Sequence, residues 1–167
     1  MLPEEDTGVQ VAGRSMDGVF RTAGDESSND QVRTLNESIG ASGARAVMRG
    51  QVIVVTLPEA MLFEPGSAMV KNSALDWISA VSRSLQDYPA SRASIRGFTD
   101  NTGVPAEAQR LSEDRARAVT RVLIATGTNS SRLTYAGVGA GNPVASNTTE
   151  AGRNQNRRIE VIISPEV

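Results

Sequence analysis

The sequence predicts an α/β (α+β) two-layer sandwich: a mixed β-sheet with helices packed on one face. Three observations predict it. Apolar runs of strand length and runs with apolar residues three to four apart follow one another as strand, helix, strand, helix, strand, strand. Pro58, Pro89 and Pro105 stand at the ends of these segments, where they stop or start them. The 167 residues are 39% apolar but only 4% aromatic, enough for one core built on aliphatic side chains.

The elements follow in order. Residues 1–29 are rich in Gly, Ser, Asp and Glu, with Val9, Val11, Met16, Val19 and Phe20 scattered without period, and read as an extended arm or linker. Asp30 suits the cap of a short helix with Val32, Leu35 and Ile39 on one side, ended by Gly40 and Gly43. Ala44–Met48 and Gln51–Leu57 flank Arg49-Gly50 as a β-hairpin. Both faces of the second strand are largely apolar, which places it centrally. The spans divide as 1–29 arm, 30–50 short helix and first hairpin strand, and 51–167 main domain. Glu59–Ser67 reads as a loop. Asn72 suits a cap, with Ser73 and Asp76 as a capping-box variant, for a helix carrying Leu75, Ile78, Val81, Leu85 and Tyr88 on one face. Trp77 beside that stripe reads as a packing residue.

Arg92–Phe98 reads as a strand entering the turn Asp100-Asn101-Thr102-Gly103, with Asp first and Gly fourth. Pro105 suits the first position of a long helix that runs to about Ala125 and stops at Gly127. Leu133–Val138 and Arg157–Ile163 complete the strands, with the polar loop Asn142–Gly152 between them. Gly137-Val138-Gly139-Ala140-Gly141 lacks the third glycine at dinucleotide spacing and opens no helix, so it is not a nucleotide site.

The long helix carries an anomaly. Leu111, Ala118, Val119 and Val122 form its apolar stripe, and Arg115 sits on that stripe. A buried guanidinium requires an anion or a cleft open to water. Asp100, just after the preceding strand, is the nearest candidate in sequence. Two readings stand. Asp100 and Arg115 form a structural ion pair, with Asp100 also capping its own turn. Alternatively, both face one cleft and bind a zwitterion, Asp100 taking an ammonium and Arg115 gripping a carboxylate bidentately.

Gly97-Phe98-Thr99-Asp100-Asn101-Thr102-Gly103 followed by Leu111-Ser112-Glu113-Asp114-Arg115-Ala116 resembles the OmpA-like C-terminal peptidoglycan-binding domain family. Phe63-Glu64-Pro65-Gly66-Ser67-Ala68, Gly137-Val138-Gly139, Asn142-Pro143, Asn147-Thr148-Thr149 and Gly152–Glu160 resemble further family motifs, in order, over about residues 51–164. The resemblance implies an OmpA-like fold. It also implies that Asp100 and Arg115 bind the diaminopimelate of the peptidoglycan stem peptide, whose free end is a zwitterion. Phe63, Glu64, Gly66, Ser67, Thr99 and Leu111 would wall the site; Arg157, at the entry to the last strand, reads as a support to the cleft or an ion-pair partner. Phe98 replaces the family's usual His, Ala108 its Asn, Glu64 its Asp and Gly66 its common Asn. These departures bear on loop contacts and affinity rather than on the central pair.

Composition excludes other chemistry. The chain contains no Cys and no His, which removes thiol nucleophiles, imidazole bases and His-ligated metals. The expectation is a binding module that is not an enzyme, with no cofactor and no metal. The net charge of −2 argues against nucleic acid despite Arg153, Arg157 and Arg158. No apolar run reaches transmembrane length and no signal peptide is visible, so membrane attachment is expected only through a segment outside this chain. The family resemblance implies a place in the periplasm or cell envelope of a Gram-negative bacterium, outer-membrane associated, as a lipoprotein or otherwise membrane-anchored protein. A second reading is an envelope protein–protein interaction or signalling module, with a protein partner or homodimer contact through residues 1–45.

Overall fold

In the computed structural model, which describes residues 23–40 and 43–165, five strands make one mixed sheet in the order β1-β2-β5-β3-β4. The elements are α1 (Ala23–Ile39), β1 (Arg45–Arg49), β2 (Val52–Pro58), α2 (Glu59–Leu62), α3 (Leu75–Asp87), β3 (Arg92–Phe98), α4 (Pro105–Ala125), β4 (Leu133–Gly139), α5 (Glu150–Asn156) and β5 (Arg158–Ser164). Short 3₁₀ turns lead into α3 and β4. All neighbours are antiparallel except β3 and β4, which α4 joins as a parallel crossover. The expected sandwich is therefore what forms.

The alternation of side chains along each strand separates two faces. Ile53, Val55 and Leu57 of β2, Ile159, Val161 and Ile163 of β5, and Ile95 of β3 face the helices. They meet Leu35 and Ile39 of α1, Ile78, Val81 and Leu85 of α3, and Ala116, Val119 and Leu123 of α4 in one core. Trp77 packs partly buried against it, as expected of a packing residue. On the opposite face Arg158 and Glu160 are buried and paired at 2.8 Å, with the Arg158 guanidinium 3.8 Å from the centre of the Phe98 ring.

Four local expectations need correction. Residues 23–29 are helix rather than arm: α1 starts at Ala23, and Asp30 lies inside it, bonded to Arg33 at 2.9 Å. The early turns lack an apolar period because they bury little: of residues 26–30, Ser28 is the buried one, and the next buried residue, Gln31, is again polar and donates to Ser84 Oγ at 3.1 Å. Residues 1–22, with Gly18-Val19-Phe20, lie outside the described residues. Asn72 supplies no side-chain cap to α3, which follows a 3₁₀ turn instead, and Leu75 is left 38% exposed. Glu59–Leu62, expected as loop, is a single helical turn. The stretch expected as polar loop contains the start of α5, whose cap is Thr149, its hydroxyl accepting from Gly152 N at 3.0 Å. Among the described residues no helix is long and apolar enough to cross a membrane.

Candidate functional site

The site is assembled around the β3–α4 unit. Gly97 of β3 lies opposite Gly137 of β4. A methyl group at Gly97 would stand 2.2 Å from Ser112 O, and one at Gly137 would stand 2.5 Å from Glu113 N. The paired glycines therefore let α4 lie directly on the sheet backbone. Ser112 adds a bond from Gly139 N to its hydroxyl at 3.1 Å. That seating fixes the helix whose next turn carries Arg115.

Asp100 follows β3 and is buried. Its Oδ1 accepts from Thr102 N at 2.9 Å and from Thr102 Oγ1 at 2.6 Å, which closes the predicted turn on Gly103 at φ 82. Its Oδ2 faces Arg157 Nη1. Arg157, at the entry to β5, also donates from Nη2 to Glu150 Oε2 at 2.7 Å and to Asn154 Oδ1. Burial alone would raise the Asp100 pKa. The bonds from Thr102 and Arg157 outweigh it and hold the carboxyl below its ordinary value. Arg157 in turn is held above the ordinary arginine value by Glu150 and Asp100, against the opposing effect of burial.

Arg115 is 4% exposed. Nη1 lies 2.9 Å from Glu59 Oε1, Nε donates to Ser67 O at 2.8 Å, and the guanidinium sits 5.0 Å from the Phe63 ring centre. Nη2 is buried without a hydrogen-bond partner, the one such side-chain atom among the described residues. Asp100 and Arg115 therefore do not pair with each other. Each has another internal partner, and both line one open cleft of about 590 Å³.

Of the other expected site residues, Gly66, Thr99, Leu111 and Arg157 line this cleft. Phe63 does not; it is buried beneath Arg115. Glu64 and Ser67 border a separate groove, although the Ser67 carbonyl orients Arg115 from behind. Phe98 faces Arg158 on the other side of the sheet, so its replacement of the usual His does not alter the cleft lining. Ala108 does line it.

Sequence reasoning missed Glu59, Thr102, Glu107, Glu150 and Asn154, all in the cleft wall. The signal for Glu59 was present: a carboxylate at the end of a central strand is a natural partner for a buried arginine on the covering helix. Glu150 and Asn154 share a face of α5 by their i, i+4 spacing, visible only once that helix is recognised. Four carboxylates (Glu59, Asp100, Glu107, Glu150) now stand against two guanidiniums (Arg115, Arg157), so the cleft lining carries a net −2. A net negative lining suits a ligand bearing an ammonium. Among the described residues no group of His, Cys, Asp and Glu is placed to hold a metal ion.

Residues 62–157 match the OmpA family. The chain is 34% identical over 135 residues to the probable lipoprotein YiaD of Escherichia coli, covering 81% of this chain and 62% of the relative. It is 32% identical over 124 residues to the peptidoglycan-binding protein ArfA of Mycobacterium tuberculosis, covering 74% of this chain and 38% of the relative. The chain thus spans less than two thirds of the length of either. Its fold matches the cell wall anchor of the T6SS from Pseudomonas aeruginosa with a TM-score of 0.74, at 27% identity and over 81% of this chain and 97% of that one. With its mixed sheet, its seated α4 and a family match over most of the elements that build the cleft, this chain belongs to the OmpA family.

Proposed function

We propose that this chain is a non-catalytic module that binds cell-wall peptidoglycan through the diaminopimelate of the stem peptide and so anchors an envelope protein to the wall. The observation that carries this reading is Arg115 Nη2, a buried N–H donor without a partner on a residue that lines the cleft shared with Asp100. Leaving such a donor unmatched costs about 1–3 kcal/mol, which a ligand carboxylate would recover. Asp100, ionised by its surroundings, receives the ligand ammonium at the other side of the same cleft. Neither charge is consumed, so binding leads to no reaction.

Two relatives support the reading by what they are: ArfA is a peptidoglycan-binding protein, and the T6SS structure is a cell wall anchor. The likeness to a probable lipoprotein supports a place in the envelope of a Gram-negative bacterium, on the periplasmic side of the outer membrane. A partner-binding role for residues 1–45 finds no support in α1, whose Leu35 and Ile39 are buried in the domain's own core.

The test is calorimetric titration of the chain with a diaminopimelate-containing stem peptide, beside Asp100→Ala and Arg115→Ala, with folding followed by circular dichroism. Charge-assisted bonds of about 1.5–3 kcal/mol each predict at least tenfold weaker binding in either folded variant. Unchanged binding in both, or none by the parent chain, would overturn the proposal.

A further inference from the structure

The cleft does not end at Arg157. Arg157 and Asn154 also border a second groove of about 470 Å³, whose other charged residues are Arg45, Arg49, Arg158 and Glu160. This groove lies over the sheet face turned away from the helices. Arg45 is in register with Thr56, and Thr56 with Glu160, one residue out of phase with the core-facing Leu57 and Ile159. Arg49 shares Arg45's face of β1, four residues on.

Charge separates the two compartments. The cleft lining is net negative. The groove sets four guanidiniums against the single carboxylate of Glu160. Glu160 is paired with Arg158, while Arg157 is held by Asp100 and Glu150. Arg45 and Arg49 are both exposed, and among the described residues neither has a carboxylate within ion-pair distance. Two uncommitted cations therefore border a concave site that shares a wall with the cleft.

We infer that this groove is a second subsite that takes a further carboxylate of the peptide held in the cleft, an inference that rests on the cleft's proposed function. The cleft reads an ammonium beside a carboxylate. The adjoining groove reads the next free carboxylate along the peptide, so the pair selects a peptide with acidic groups beyond its zwitterionic residue. Arginine charges on an edge strand also discourage pairing between copies. That role alone would leave peptide affinity untouched.

The experiment compares two stem peptides on the folded chain: one with all carboxylates free, and one amidated everywhere except at the free end of diaminopimelate. The parent chain is expected to bind the free-acid peptide about tenfold more tightly, within the range that two exposed ion pairs supply. The double variant Arg45→Gln with Arg49→Gln should lose that tenfold and bind the amidated peptide as the parent does. Asp100→Ala should lose both peptides. Equal affinity of parent and double variant for the free-acid peptide would overturn the groove and leave the cleft reading intact. No binding of either peptide by the parent would overturn both.

Discussion

Arg115 Nη1 lies 2.9 Å from Glu59 Oε1, so the buried guanidinium on α4 is neutralised by the turn that follows β2 and not by Asp100. Glu59 therefore competes with any ligand anion for the same charge. Glu59→Gln keeps a hydrogen-bond acceptor there and removes the competing charge. It should tighten stem-peptide binding severalfold while lowering stability, by less than the about 3–5 kcal/mol of a buried pair broken outright because the acceptor is kept. Calorimetry and urea melts on the same preparation check both effects; weaker binding would show that Glu59 orients Arg115 rather than competing with the ligand.

The same pair contributes to the fold. Arg115→Ala strands Glu59, frees the Ser67 carbonyl and uncovers the Phe63 ring. Removing one partner of a buried pair costs about 3–5 kcal/mol. Denaturation midpoints should fall accordingly, and a loss below about 1 kcal/mol would mean that water reaches this pair freely.

Asp100 gives a pH signature. Its folded pKa lies below the ordinary 3.8, so its contribution to stability is present above the unfolded value and is lost as pH falls through the folded one. The stability gap between the parent and Asp100→Asn should stay flat from about pH 7 to about pH 5 and shrink below about pH 4. A gap that widened on acidification would reverse the sign assigned to Asp100.

The glycine seat under α4 can be tested directly. Gly137→Ala places a methyl group 2.5 Å from Glu113 N and Ser112 Oγ, so the helix must lift. Overpacking of this kind costs about 1–3 kcal/mol, and binding should weaken as Arg115 moves with the helix. Gly40→Ala, where a methyl group meets nothing within 4 Å, should be near neutral. Thermal melts of the two variants provide the comparison.

What the sequence made legible depended on periodicity. The β2 run, the α3 stripe and the α4 stripe were readable because apolar spacing directly reports a buried face. Arg115 stood out for the same reason, as a charge where the stripe required an apolar group. Its partner was not readable. The choice between Asp100 and Glu59 depends on how two strand ends meet a helix, and spacing along the chain contains no such distance. The start of α1 and the whole of α5 were missed because their packing side chains are polar: Ser28 is the buried residue among 26–30, and Asn156 accepts from the backbone N–H groups of Val144 and Ala145 at 2.7 Å and 3.0 Å. A binary apolar pattern does not register such contacts.

The order of strands has a consequence for how the chain reaches its native state. β5 comes last in sequence yet lies between β2 and β3. Until Arg158–Ser164 has emerged, the β1–β2 hairpin and the β3–β4 pair are two separate ribbons, each with an unpaired inner edge. A chain made or threaded from its N-terminus therefore has no closed sheet before its last strand arrives. That same insertion brings Arg157 against Asp100. The final step of sheet closure and the completion of the cleft are thus one event, so an incompletely synthesised molecule cannot present the finished site.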